Sequence, residues 1–160
     1  MKRTLANALS AEDEAFLSAG GANGVGHANN SAKVKNAAVI ADEFAEMAAT
    51  AYGQVEVAQL LGVSTGRVGQ RLENGSLYSI HGLSGRVCPR FQFHDGRTLP
   101  GLEVVLAAIS DQAHPVGVQR FFLSVHQDLE SGELGASLSP RDWLMKGHDP
   151  QVIAILARDL

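Results

Sequence analysis

The stretch from Gln54 to Leu72 (Gln-Val-Glu-Val-Ala-Gln-Leu-Leu-Gly-Val-Ser-Thr-Gly-Arg-Val-Gly-Gln-Arg-Leu) restricts the fold of this chain more than any other part of it. Almost every position has a steric reason. Ala58 is small where a second helix must cross, and Gly62 permits the left-handed backbone of a tight turn. Ser64 stands at the N-cap of the helix that follows. Val57, Leu61, Val63 and Val68 are expected to fill the wedge between two short helices, and Leu72 takes the place of a further apolar anchor where Arg71 falls. Gly66 and Gly69 are departures, since each costs about 1 kcal/mol in a helix relative to alanine.

This stretch resembles the helix-turn-helix of bacterial repressors. The resemblance implies that the second helix lies in a major groove with its early residues on base edges. Ser64, Thr65, Arg67, Gln70 and Arg71, with Asn74 at the helix end, are then the candidate contacts, being types suited to guanine or adenine edges or to phosphates. The charge distribution agrees. The chain carries a net charge of -4, yet between residues 67 and 97 stand Arg67, Arg71, Arg86, Arg90 and Arg97 against only Glu73 and Asp95. Arginine offers phosphate and guanine a planar fork of donors. Asn74-Gly75 marks a turn, after which Leu77-Tyr-Ser-Ile and Val87-Cys-Pro-Arg-Phe-Gln-Phe are expected to pair as a β-hairpin with His81-Gly-Leu-Ser-Gly at its tip. Val87, Phe91 and Phe93 would form its buried face, with Pro89 marking an edge strand. Arg86 and Arg90 then join the DNA contacts, on or near a wing. The alternatives are a helical hairpin that touches no DNA and a β-hairpin that only covers the core.

The rest of the chain frames this region. With 160 residues, 45% of them hydrophobic and 19% charged, it can bury one ordinary core. The fold class expected is mainly α with a small β-hairpin: a winged helix-turn-helix core followed by a C-terminal helical region. Residues 1–30 read as an arm, with a short acidic helix from Ser10 to about Ser18 and a glycine- and asparagine-rich linker over 20–31. Residues 31–112 form the DNA-binding region, opened by a long alanine-rich helix from Ser31 to about Tyr52. That helix sets Val34, Ala38, Ala41, Ala45 and Ala48 at helical spacing beside Phe44 and Met47 and is ended by Gly53. Residues 113–160 are expected to be helical, including Val116 to about Leu129. Leu102, Val105, Leu106 and Ile109 share one face of a preceding helix.

Near the end, Ser139-Pro140 and Asp149-Pro150 are each an N-cap followed by proline, which predicts two short helices separated by Gly147. With Trp143-Leu144 and the closing apolar run, this tail resembles the toxin-binding domain of antitoxins called Xre/MbcA/ParS. The resemblance implies an antitoxin that represses its own operon and neutralises a cognate toxin encoded next door, in that family commonly a RES-fold enzyme that consumes NAD. Leu138, Trp143, Leu144, Gln151, Ile155, Arg158 and Leu160 are the expected partner contacts, because apolar residues crowd there beyond the need of two short helices. A stand-alone winged regulator without a toxin is the alternative. In either case a homodimer on twofold operator DNA is expected.

No enzyme, cofactor or metal is expected. The six histidines show no His-x-x-x-His pair, the lone Cys88 excludes an internal disulfide and any multi-cysteine metal site, and no serine has an identifiable base. Apolar stretches break within about a dozen residues, short of a membrane span, and the expected location is the cytoplasm.

Overall fold

A computed structural model describes residues 25–83, 85–131 and 136–160. It is mainly helical, with small antiparallel hairpins. The expected helix over Ser10–Ser18 lies outside the described residues. Met1–Val39 and Ile40–Leu160 form two compact units. Helix α1 (Val25–Thr50) begins earlier than predicted and absorbs the end of the expected linker, because a strong alanine-rich stretch propagates helix cheaply once nucleated. In the first unit, residues 32–39 of this helix are exposed. In the second, Phe44, Met47 and Ala48 lie on the packed face as expected, and Ala41 and Ala45 do not. Ile40, Phe44 and Met47 pack with Ile80 and Val116, while Ala41 and Ala45 face outward. The larger side chains at i, i+4 and i+7 remove more apolar area from water and so decide the face.

After α1, Tyr52 exchanges two backbone hydrogen bonds with Cys88 (2.9 and 2.8 Å). Gly53 does not end α1 with a left-handed cap as expected. At φ -71° it opens α2 (Gln54–Leu61), its N–H donating to the Glu56 carboxylate at 2.7 Å. Gly62, at φ 65°, turns the chain into α3 (Thr65–Glu73), and Ser64 Oγ accepts from Arg67 N at 3.2 Å. Val57, Ala58, Val68 and Leu72 are buried together with Leu77, Cys88 and Phe93. Leu61 is partly buried and Val63 is exposed, so the wedge needs fewer anchors than the sequence offered.

The β region departs from a single long hairpin. Strands β1 (Ile80–Gly82) and β2 (Gly85–Val87) pair in the register Ile80↔Val87, His81↔Arg86, Gly82↔Gly85. Cys88 then leaves for Tyr52. Pro89, fully buried and without an N–H to donate, gives way to a 3-10 turn over Arg90–Gln92. Strands β3 (Phe93–His94) and β4 (Arg97–Thr98) make a second hairpin across Asp95 (φ 46°) and Gly96 (φ 72°). Asp-Gly is a pair that suits the positive φ of both residues in such a turn.

Helices α4 (Leu102–Leu106) and α5 (Pro115–Leu123) follow. Helix α5 stops at Leu123 instead of reaching Leu129. Ser124 turns extended, and β5 (His126–Ser131) pairs with β6 (Ala136–Leu138), placing Leu129 in the core from a strand. The two closing helices form as predicted. Ser139 Oγ caps α6 (Pro140–Met145) by accepting from Asp142 N at 3.1 Å, and Asp149 Oδ1 caps α7 (Pro150–Leu156) by accepting from Gln151 N at 2.9 Å. Gly101 lies against Pro150, where a Cβ would come within 2.6 Å, so only glycine lets α4 meet α7. Phe91, Leu99, Leu102 and Val105 share a buried cluster with Val118, Phe122, Leu129, Leu144, Ile153 and Ala157. One core therefore crosses the expected boundary at 112/113.

Buried within this frame is one polar side chain the sequence reading passed over. Gln92 accepts from Tyr78 N (2.8 Å) and donates to Tyr78 O (2.8 Å) and Pro89 O (3.1 Å). Replacing Gln92 by Leu strands these backbone groups, and urea titration should show a loss of about 3 kcal/mol. Removing Ala157 to Leu160 deletes a wholly buried alanine and a leucine packed on the core. The same titration should show a loss of about 2 kcal/mol. On the surface, Arg120 grips Glu43 through two hydrogen bonds (2.7 and 2.8 Å), which hold the Glu43 carboxyl below its ordinary range. The stabilisation from this pair is complete above the ordinary glutamate range and disappears as pH falls through the lowered value. Arg120→Gln should flatten that acid limb of the stability profile and leave stability at alkaline pH without a matching pH dependence.

Candidate nucleic-acid interface

Helix α3 is held by its inner face. Val68 and Leu72 are buried against Val57 and Ala58, which leaves Thr65, Gly66, Arg67 and Gln70 exposed and Gly69 half-buried. Arg67 Nη1 donates to Gln70 Oε1 at 3.2 Å, so two of the predicted readers are already oriented side by side. Ser64 spends its hydroxyl on the cap. Asn74 ends the helix and accepts from Ser76 N (3.1 Å) and Ser76 Oγ (2.7 Å), which shapes the Gly75 turn and leaves the amide exposed.

The two glycines of α3 are informative in this setting. A Cβ at Gly69 would meet nothing within 4 Å, and one at Gly66 would meet only Ser64 Oγ at 4.0 Å. Neither glycine has the left-handed backbone that would demand it. The chain's own packing therefore does not explain them, although each lowers helix stability. What they produce is a stretch of bare backbone on an outward face, next to the guanidinium of Arg67 and the amide of Gln70.

Two of the predicted arginines have other work. Arg71 folds inward: Nε donates to Ser76 Oγ (3.4 Å), and Nη2 to Ser76 O (3.5 Å) and Thr98 Oγ1 (3.3 Å). It pins the end of α3 to β4 and is half-buried, so it is a support and not a free reader. Arg90 sits over the Tyr52 ring, 4.6 Å from its centroid, and donates to the Thr50 carbonyl at the end of α1. This satisfies a carbonyl at a helix terminus and ties down a side chain expected on the wing. Arg86, on β2, is exposed and donates to Ser79 Oγ at 3.2 Å. The observed set thus divides: Thr65, Arg67, Gln70 and Arg86 face solvent, and Arg71 and Arg90 hold elements together.

The expected partner surface at the C-terminus divides as well. Leu144 is wholly buried and cannot meet a partner, and Leu138, Trp143 and Leu160 pack on the main core. Trp143 also donates from Nε1 to Asp149 O at 3.0 Å and lies against His148, with centroids 4.4 Å apart. Gln151, Ile155 and Arg158 remain exposed, with Ile155 at 59%. The core thus takes up part of this apolar surface and leaves the rest half-buried or, at Ile155, exposed. Among the described residues, no group of three or more histidine, cysteine, aspartate or glutamate side chains could hold a metal, and no helix is long and apolar enough to cross a membrane. Burial pushes the Cys88 thiol up to about 11, which makes it inert.

No family model matches the chain, and no curated protein does. Among solved structures, the chain is similar to the NMR structure of Rv2175c at 24% identity and a TM-score of 0.50, covering 68% of this chain and 79% of that one; the likeness is one of fold.

Proposed function

We propose that this chain is a sequence-specific DNA-binding protein, in which α2 and α3 act as a helix-turn-helix and the β1–β2 hairpin acts as a wing. Helix α3 enters the major groove, Arg67 and Gln70 address guanine or adenine edges, and Thr65 meets a phosphate or a thymine methyl. Arg86 adds a phosphate contact from the wing. One observation carries the reading: α3 presents donors beside two glycines that its own fold does not require. Bare backbone at those positions lets the helix approach a surface closely. The groove of DNA is such a surface, and the arginine-rich composition of residues 67–97 suits its charge. A single short recognition helix covers few base pairs, so the reading includes two chains on a twofold site.

Selection of binding sequences from a random DNA pool by the full-length chain, followed by affinity measurement on the winner, tests the proposal. Recovery of no enriched sequence would overturn it. On the selected duplex, Arg67→Ala and Gln70→Ala should each cost about 1 to 3 kcal/mol of specific binding and leave thermal stability unchanged. Arg86→Ala should weaken all sequences alike and reduce the salt slope by about one unit. Arg71→Ala should lower the melting temperature, because it frees Ser76 and Thr98. Gly66→Ala and Gly69→Ala separate the two demands on α3 most cleanly. Each should raise stability by up to about 1 kcal/mol through helix propensity and weaken DNA binding by adding a methyl to the contact face. Gain in both properties would contradict the proposed contact.

A further inference from the structure

The β1–β2 hairpin carries a side chain that packs on none of the described residues. Leu83, at its tip, is the most exposed large hydrophobic among the described residues, with a relative exposure of 109%. Tight hairpin connections favour Asn, Asp and Gly, which suit both the backbone and the solvent. A leucine there gains nothing from folding and presents apolar area to water. The rungs below it are ordered in a particular way. The rung nearest the tip is Gly82↔Gly85, with no side chain on either strand. Gly85 requires glycine at φ 113°, and a Cβ on Gly82 would press on Val87 at 3.1 Å. The next rung is His81↔Arg86, both exposed. The last is Ile80↔Val87, with Ile80 buried against Met47 and Val116. Beyond Val87, Cys88 bonds the backbone of Tyr52, directly ahead of α2. The hairpin is therefore anchored at its foot, polar and basic in its middle and bare at its neck, with Leu83 exposed beyond it.

We propose that Leu83 is a wedge that enters the minor groove of bound DNA and partly unstacks a base step. The inference rests on the DNA-binding reading above and extends it to a bent complex. The minor groove is about 6 Å wide, and a last rung of two glycines is the narrowest end a hairpin can offer it. Arg86, one rung back, stands where the guanidinium reaches phosphate or the negative potential of a narrow groove. Apolar side chains inserted between base steps kink the duplex toward the major groove, the side on which α3 binds.

The test uses the full-length chain and the duplex obtained by selection, labelled at both ends for energy transfer and carrying 2-aminopurine in turn at each flanking step. The parent protein should bend the duplex and brighten 2-aminopurine at one step outside the α3 contact. Leu83→Ala should lose the brightening and most of the bend, bind about tenfold more weakly, and keep the parent's melting temperature, since Leu83 packs on nothing. Leu83→Met and Leu83→Phe should retain the bend, whereas Leu83→Ser should behave as the alanine variant. Tight binding of a straight duplex by the parent, or an unchanged bend in Leu83→Ala, overturns the wedge and leaves the DNA-binding reading standing. A Leu83→Ala variant altered only in self-association assigns the tip to a protein contact and overturns the wedge as well. Failure of the parent to bind any selected duplex removes both.

Discussion

The buried amide of Gln92 is the contact on which the arrangement of the second unit depends. Its side chain satisfies both backbone polar groups of Tyr78, fourteen residues earlier, as well as the Pro89 carbonyl, and its own carbonyl accepts from Leu99 N at 3.0 Å. A primary amide is suited to this task because it carries donor and acceptor on one small group. Buried polar groups of this kind are costly when unmatched and specifying when matched. Around it the chain changes partners residue by residue. Phe91 enters the main core and stacks on Phe122 with centroids 4.7 Å apart, while Phe93 enters the cluster under α2 and α3 and meets Tyr52 edge-on. Arg141, from α6, donates to the carbonyls of both phenylalanines (3.1 and 3.2 Å). The helical pair proposed to bind DNA and the core that carries it are thus joined at one short 3-10 turn.

That joint also explains the division of labour among the arginines. Arg90 and Arg141 flank the turn and spend their guanidinium groups on backbone carbonyls. Arg71 holds β4 against the end of α3. A guanidinium has five donors, so it is well suited to collecting carbonyls and hydroxyls from elements distant in sequence. Of the five arginines between residues 67 and 97, those not tied to another element are Arg67, Arg86 and Arg97, and the first two lie on the elements proposed to touch DNA. A cluster counted by charge alone thus overstates the binding face. Hydrogen-bond partners, not composition, tell a scaffold arginine from a free one.

The C-terminal helices illustrate the same point for apolar residues. Eight apolar positions within nineteen residues look excessive for two short helices with a wet side. Part of the excess is taken up by the core: Leu144 and Ile153 are buried with Leu102, Val105 and Leu129, while Leu138, Trp143, Met145, Val152 and Leu156 are partly buried against that cluster. Gly101 makes the contact possible by letting Pro150 approach within the radius of a missing Cβ. Ile155 lies outside the core. The tail therefore forms one wall of the core.

What was legible in the sequence shares one property: the physical cause lies within a few residues of the effect. Ser64, Ser139 and Asp149 cap helices by bonding an N–H two or three positions away, Gly62 and Gly75 supply positive φ where a turn needs it, and Val57, Ala58 and Val68 meet across a single turn. The alternation of Val87, Phe91 and Phe93 was legible but ambiguous, since a buried proline broke the strand and sent two rings into different clusters. Only the tertiary structure decided which face of α1 is covered, that residues 126–131 form a strand, that Arg71 turns inward and Arg90 lies over Tyr52, and that Gln92 closes the joint. Each of these depends on a partner far along the chain, as Glu43 depends on Arg120 and Tyr52 on Cys88. Local propensity cannot encode such pairings, because a donor, a ring or an apolar face takes its partner from whatever the assembled core brings within reach.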